Sequence, residues 1–451
     1  MNRAYAKAFA PFVDPKRVAD GDLYVDRDDS PRQAFLEATV LDDPTHCLLI
    51  GATGSGKSTE LLRLAREVAR YDDPPVVAFI RLQDQCSPEA LTPAQVLFLI
   101  GVMALRLIEP VGVPPAKLVD ELRDAYLQIV TPPQGAQVDV ADLAGRLALY
   151  LAGPASKADP TTGLVLGAGG SLLKAVKKAP TIALPGRGRT LAANDPAITR
   201  LAESVDACIE RARSTYAEAP LMLFVDGLDK LDMLHSGAMF GSDILARPVC
   251  TVIYTAPISL RYNLVGTMSD PWFKTLTLGN FRVFSHRNDG RRDPTGFLAM
   301  RRLISRRIES AGLNAEQVFE SGLEPGGLVD RLIEASGGIT RVFILMCDAA
   351  LRRGLIGTNI EHETLTEVEV ESVIRDFEQR TVTRLKPEHY EPLLGCWETH
   401  ARPGGDHGEE LLFTNLVHCY ANEWPWYRPT PLVLRFLKER FPDRGPRDAA
   451  S

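Results

Sequence analysis

Cysteine chemistry has little to work with in this chain of 451 residues. The seven cysteines, Cys47, Cys86, Cys208, Cys250, Cys347, Cys396 and Cys419, are scattered, odd in number and never in a CxxC pair. Neither a zinc site nor a disulfide framework is signalled by them. Several sit in apolar runs, where a buried free thiol is the simple reading, and that fits a reducing cytosol. No uninterrupted apolar run approaches the roughly 20 residues that span a bilayer. The opening residues MNRAYAKAFAPFVDP lack the apolar core of a secretory signal. The expectation is therefore a cytoplasmic protein with no membrane contact. A basic excess is missing too: 51 Lys and Arg stand against 58 Asp and Glu, a net charge of −7. That counts against nonspecific coating of nucleic acid and leaves room for a local basic patch. The rest is ordinary for a soluble globular protein, with 45% hydrophobic and 24% charged residues. The length suits about two to three domains, each able to bury a core without staples.

Along the chain, residues 1–45 read as a polar lead-in containing Tyr24-Val25-Asp26-Arg27-Asp28. Cys47-Leu48-Leu49-Ile50 is a short apolar run fit for a buried strand, and a glycine-rich loop follows at once. The spacing of Leu61, Leu62, Leu64, Ala65, Val68 and Ala69 predicts a helix over 58–70. Further buried strands are expected at Val76–Ile80, Leu221–Val225 and Val249–Thr255, with a weaker one at Phe281–Phe284. Residues 93–109 and 195–215 read as helices. The glycine- and proline-rich stretch 153–195 reads as a mobile insertion. Within it, Leu172 to Lys178 forms a short basic amphipathic patch that could also meet a membrane or a partner. After Pro294 the pattern turns helical to about residue 380, and residues 385–442 mix helix and strand. Strands alternating with helices predict an α/β fold with a parallel sheet covered on both faces.

Four features carry chemistry. Gly51-Ala52-Thr53-Gly54-Ser55-Gly56-Lys57-Ser58, followed by Thr59, fits GxxxxGK[ST]. Glycines there let backbone N–H groups curl around phosphate oxygens. Lys57 would reach the β- and γ-phosphates and the Ser58 hydroxyl would ligate Mg²⁺, with the helix N-terminus facing the anion. Second, the strand Leu221–Val225 ends in Asp226-Gly227-Leu228-Asp229-Lys230. Asp226 is placed to hold Mg²⁺ through water; Asp229 either orients the attacking water or caps the next helix. Third, Thr255 at the end of the next strand either senses the γ-phosphate or belongs to a strand-ending turn. Fourth, Ser336-Gly337-Gly338-Ile339-Thr340-Arg341 opens an apolar helix. A cation in the first turn opposes the helix dipole, so Arg341 is either a phosphate partner across a cleft or a surface residue.

These motifs, in this order, resemble the AAA+ and STAND-type ATPases of the additional-strand P-loop class. Asp226-Gly227-Leu228-Asp229 is more similar to the STAND (NACHT-like) acidic motif than to the Asp-Glu pair of most AAA+ motors. Tyr24-Val25-Asp26-Arg27-Asp28 resembles the arginine-bearing box before the first strand of STAND and Orc-like proteins, which implies that Arg27 lies on the adenine side. GATGSGKSTELLRL, DGLDKL, APISLRY and SGGITR look like a group of bacterial ATPases of this kind. The resemblance spans about 20–355. It implies Lys57 as Walker A lysine, Ser58 as Mg²⁺ ligand, Asp226 as Walker B aspartate, Asp229 as second acid, Thr255 as sensor 1 and Arg341 as sensor 2. Lys230 stands where a glutamate is usual, which implies slow hydrolysis. Thr255-Ala256-Pro257 replaces the polar-then-arginine strand ending, and Arg261 is the nearest arginine for service in cis or as a finger in trans.

The implied architecture is a lead-in (1–45), a parallel-sheet P-loop NTPase core (46–290), a helical lid (291–384) and a winged-helix-like C-terminal domain (385–451). The implied ligands are ATP and Mg²⁺. The first functional expectation is a STAND-like ATPase switch that controls assembly with a separately encoded effector or with further copies of itself, in bacterial signalling or antiphage defence. The second is an AAA+-type regulator on DNA, in which Arg428, Arg435, Lys438 and Arg440 would touch phosphates. A third is a nucleotide-binding scaffold without turnover. No guanine-reading NKxD motif occurs.

Overall fold

The computed structural model describes residues 4, 8–10, 18, 23–27, 30–40, 44–71, 73–82, 91–131, 163–166, 172–176, 187–261, 272–285, 291–357, 364–420 and 425–445. In chain order the elements begin with α1 (Arg32–Val40), β1 (His46–Gly51), α2 (Lys57–Val68), β2 (Val76–Arg81), α3 (Pro93–Ile108) and α4 (Ala116–Ile129). Then come β3 (Val130–Thr131), β4 (Gly163–Leu166), β5 (Leu172–Val176), β6 (Arg187–Gly188), α5 (Pro196–Thr215), β7 (Leu221–Asp226), α6 (Met233–Phe240), β8 (Thr251–Pro257) and β9 (Lys274–Leu278). The remainder is α7 (Pro294–Ser310), α8 (Ala315–Val318), α9 (Leu328–Ser336), α10 (Thr340–Gly357), α11 (Glu367–Val382), α12 (Tyr390–Thr399), α13 (Gly408–Phe413), β10 (Val417–Tyr420), β11 (Trp426–Pro429) and α14 (Pro431–Arg440). The chain divides into two compact units. The first comprises Met1–Pro31, Gly51–Leu62 and Thr277–Ser451, and the second Arg32–Ile50 and Arg63–Leu276.

One sheet runs in the order β5-β4-β2-β7-β8-β1-β9. The five strands from β2 to β9 make a parallel sheet, so the fold is α/β. β4 is antiparallel to β2, and β5 to β4. β2 meets β7 from Val76 opposite Leu221 to Arg81 opposite Asp226, and β7 meets β8 from Met222 opposite Thr251 to Val225 opposite Tyr254. Every residue of β7 and β8 is buried. Strands covered on both faces read as unbroken apolar runs, not as alternation, and each buried Val, Leu or Phe contributes about 1.5–3 kcal/mol.

In the second unit α3 is apolar all round and buried from Ala94 to Ile108, as an interior helix must be. Its start is a reciprocal capping box: the Gln95 N–H donates to Thr92 Oγ1 (3.4 Å) and the Thr92 N–H to Gln95 Oε1 (3.1 Å). It packs along α5, which Asp195 caps by accepting from the Ala197 N–H at 2.8 Å. Cys47 and Cys208 are buried free thiols pushed up to about 12 by burial. Such thiols are not reactive at neutral pH. Cys86 lies outside the described residues.

Two local readings change. The fifth parallel strand is Lys274–Leu278, not Phe281–Phe284. β9 is an edge strand, exposed at its start and buried only at Leu278, so its composition, KTLTL, lacks the apolar density that marks its neighbours. Phe281, Val283 and Phe284 are apolar because they enter the core of the first unit with Phe297, Met300 and Ile304. The described parts of 153–195 include β4 and β5, so this stretch adds strands to the sheet. Leu172–Val176, expected as part of a basic patch, is one of them; Lys177 and Lys178 lie outside the described residues. In the first unit α7 to α11 pack around one core. The pair β10-β11 is antiparallel, with His418 opposite Arg428. No helix among the described residues is long and apolar enough to cross a membrane.

Candidate functional site

The glycine loop lies between β1 and α2, in the first unit. Gly54 and Gly56 have φ of +92° and +106°, a region closed to most side chains. The Ser55 N–H bonds the Ala52 carbonyl (3.1 Å), and the Thr59 and Glu60 N–H groups bond the Gly56 carbonyl (2.9 and 3.0 Å). α2 opens at Lys57, so the N–H groups of its first turn face the anion-attracting end of a helix. Lys57 is only 3% exposed. Its Nζ donates to the carbonyls of Gly51 (2.7 Å) and Ala52 (2.9 Å). The ammonium thus rests on the loop's own backbone, in contacts that an anion could exchange. Ser58 and Thr59 are half-buried beside it.

Remote residues hold this loop. Arg27 Nη1 donates to the Ser55 carbonyl (2.9 Å) and Nη2 to the Gly279 carbonyl (2.6 Å), with the guanidinium 4.2 Å from the centre of the Phe281 ring. A planar fork that stacks and donates in two directions is specific to arginine. Arg27 is buried, and its contact with the loop is through Ser55. Glu60, in the first turn of α2, accepts from the Tyr24 hydroxyl at Oε1 (2.9 Å) and from the Ser30 hydroxyl at Oε2 (3.0 Å). The lead-in is therefore tied to both the loop and its helix. Asp28 lies outside the described residues.

Arg341 reaches the same loop from α10. Its N–H donates to the Gly54 carbonyl (3.4 Å), and its Cβ would stand 2.7 Å from any Cβ placed on Gly54. Its side chain is exposed. The turn before it is fixed at Gly338, φ +80°, where a side chain would collide with the Phe281 carbonyl. The Phe281 N–H bonds the Gly338 carbonyl (3.1 Å), and the Tyr420 hydroxyl bonds the Gly337 carbonyl (2.8 Å).

The acidic turn belongs to the second unit. Asp226 ends β7 and is 4% exposed. Gly227 turns the chain with φ +114° into a 3-10 turn, Leu228–Lys230. Thr255 is fully buried in β8, and its Oγ1 accepts the Gly227 N–H at 2.9 Å. The Thr255 hydroxyl thus positions the turn behind Asp226. Asp229 is half-buried and Lys230 exposed. Arg261 is half-buried, its N–H bonded to the Ile258 carbonyl (3.2 Å).

Of the four cations expected to face DNA, Arg428 is placed otherwise, and Arg435, Lys438 and Arg440 are exposed. Arg428 stacks on Phe284, 3.9 Å from the ring centre, and burial lowers its pKa. Arg435 pairs with Glu439 at 3.0 Å. Nearby, His418 is buried, and its pKa is lowered to about 4, chiefly by burial and less by the Arg428 charge, against hydrogen bonds to the Gly337 and Asn415 backbone.

The roles of Glu60 and Phe281 are not legible in the motifs. An acid in the first turn after the loop is favoured by the helix dipole, which is a weak signal, and nothing local links it to Tyr24. No protein-family model matches the sequence, and no curated protein matches it.

Proposed function

We propose that this chain binds ATP with Mg²⁺ and acts as a slowly hydrolysing, STAND-like molecular switch that governs assembly with a protein partner. The observation that carries the reading is the loop Gly51–Ser58: two left-handed glycines, a buried lysine over the loop carbonyls and a helix start at Lys57. On this reading Lys57 exchanges Gly51 and Ala52 for phosphate oxygens, and Ser58 and Asp226 serve Mg²⁺. Asp229 and Thr255 serve the attacking water and the γ-phosphate, and Arg341 meets the phosphates as the lid closes. The sheet order supports the class, because β8 stands between the loop strand β1 and the acid strand β7. The helices of 291–384 would be the lid, and the helices with β10-β11 the winged-helix-like domain. Lys230, next to Asp229, is the reason for slow turnover.

The DNA-regulator reading draws less support, since Arg428 is half-buried and stacked on Phe284 and the net charge of the chain is acidic. Two measurements test the proposal: ATP turnover, and the solution size of the chain with and without Mg²⁺-ATP. The wild type should change size with ATP and turn over slowly, and Lys57→Ala should do neither. A size unaffected by ATP, with salt-sensitive DNA binding in its place, would sink the switch.

A further inference from the structure

We infer that His389, His407 and Glu410 form a binding site for a divalent transition-metal ion, with Zn²⁺ the best fit. All three lie in the first unit, away from the glycine loop in sequence. His389 closes the 3-10 turn Pro387–His389 that leads into α12, His407 immediately precedes α13, and Glu410 lies in the first turn of α13. One ligand atom from each falls within 4.8 Å of the other two.

Two of the three spacings suit a coordination shell. Zn²⁺ bonds of about 2.0–2.2 Å in a tetrahedron set neighbouring ligand atoms about 3.3–3.6 Å apart. Glu410 Oε2 is 3.3 Å from His389 Nε2 and 3.2 Å from His407 Nδ1. His389 is 1% exposed, and its Nε2 has no hydrogen-bond partner, although it lies that close to Glu410. A buried nitrogen this near a carboxylate, without a well-formed hydrogen bond to it, leaves room for an ion to bridge the two. The carboxylate is divided between two tasks. Lys386 Nζ takes Oε1 (3.0 Å), and both imidazoles face Oε2, so the lysine does not occupy the oxygen that would ligate. A donor set of two imidazoles and one carboxylate suits Zn²⁺, whereas Mg²⁺ and Ca²⁺ prefer oxygen alone. Water would complete the shell, entering past His407, whose side chain is 38% exposed.

Ligation has two local consequences. Nε2 of a neutral imidazole ligates only when the ring proton sits on Nδ1. At present His389 Nδ1 accepts from the Lys386 N–H at 3.3 Å, a long contact that loading must give up. The His407 Nδ1 bond to Glu410 Oε2 (3.2 Å) must likewise open, with the His407 proton on Nε2. The ion would staple the start of α12 to the start of α13.

The test uses the full chain, stripped with a chelator and titrated with Zn²⁺ without nucleotide. Compared with the wild type, His407→Ala and Glu410→Gln should each bind one fewer Zn²⁺. Both should also lose the Zn²⁺-dependent rise in unfolding temperature. Lys57→Ala should keep both properties, which separates this site from the proposed nucleotide site. His407 is the partly exposed ligand, so its variant decides the matter even if Glu410→Gln folds poorly. Wild-type stoichiometry retained in His407→Ala, or no Zn²⁺ bound by the wild type, would overturn the assignment.

Discussion

The glycine loop and the acidic turn each follow a buried strand of one sheet, yet they are held in different ways. The loop is braced from far along the chain. Arg27 bonds Ser55 and Gly279, Glu60 takes Tyr24 and Ser30, and the Arg341 N–H bonds Gly54. The acidic turn is tied to its neighbour in the sheet by the bond from the Gly227 N–H to Thr255 Oγ1. The conformation of the loop therefore depends on the lead-in and on α10, whereas the acidic turn is tied to the strand beside it.

The largest effect should come from breaking the remote brace. Arg27→Ala leaves the carbonyls of Ser55 and Gly279 without this donor, and each such loss costs about 1–3 kcal/mol. The stability of the first unit should fall by about 2–6 kcal/mol, and ATP affinity should fall by about 10–100-fold although Arg27 meets the loop through its backbone. Arg27→Lys should not restore either, because a point ammonium cannot stack on Phe281 and donate both ways. Chemical denaturation and an ATP titration check both. Normal affinity in Arg27→Ala would show that the loop holds itself.

Acid should separate the two units next. His418, in the first unit, has a folded pKa of about 4, below its unfolded value. The unfolded chain therefore binds the proton first, and stability is lost as pH falls from about 6.5 towards 4, by about 3 kcal/mol. Asp206, in the second unit, is pushed up to about 6, chiefly by burial and against the Val249 N–H bond. Its folded form takes up the proton more readily, so that group adds stability as pH falls through 6. In the second unit burial also lowers the His46 pKa, and that group works against Asp206. Hydrogen exchange at pH 7 and pH 5 should therefore show the first unit loosening more than the second. His418→Leu should remove the acid sensitivity of the first.

The smallest effect should be local. Thr255→Val keeps the shape of the side chain and removes the acceptor of the buried Gly227 N–H, a cost of about 1–3 kcal/mol. Turnover should fall, while ATP affinity should change less than in Arg27→Ala. Steady-state kinetics beside equilibrium binding would show the split. An equal loss of affinity in the two variants would erase the distinction between the halves.

This asymmetry also governs what could be read in advance. β1, β2, β7 and β8 announce themselves because strands buried on both faces must be apolar throughout. β9 does not, because an edge strand such as KTLTL carries half its residues in water, and the apolar Phe281–Phe284 nearby belong to another core. The loop and Asp226 are legible because their chemistry is written in consecutive residues. The brace is not, since Arg27 meets Ser55 and Gly279 only through the fold. The His389, His407 and Glu410 cluster is hidden for the same reason: its spacing matches no contiguous metal motif, and the absence of CxxC pairs speaks only for cysteine.

A calorimetric titration of Mg²⁺-ATP into the full chain, wild type beside Lys57→Ala, tests whether Gly51–Ser58 is a triphosphate site. The wild type should bind one saturable equivalent and the variant at least about 100-fold more weakly, a loss of about 2.7 kcal/mol or more. Equal binding by the two proteins, or none by the wild type, would contradict that assignment.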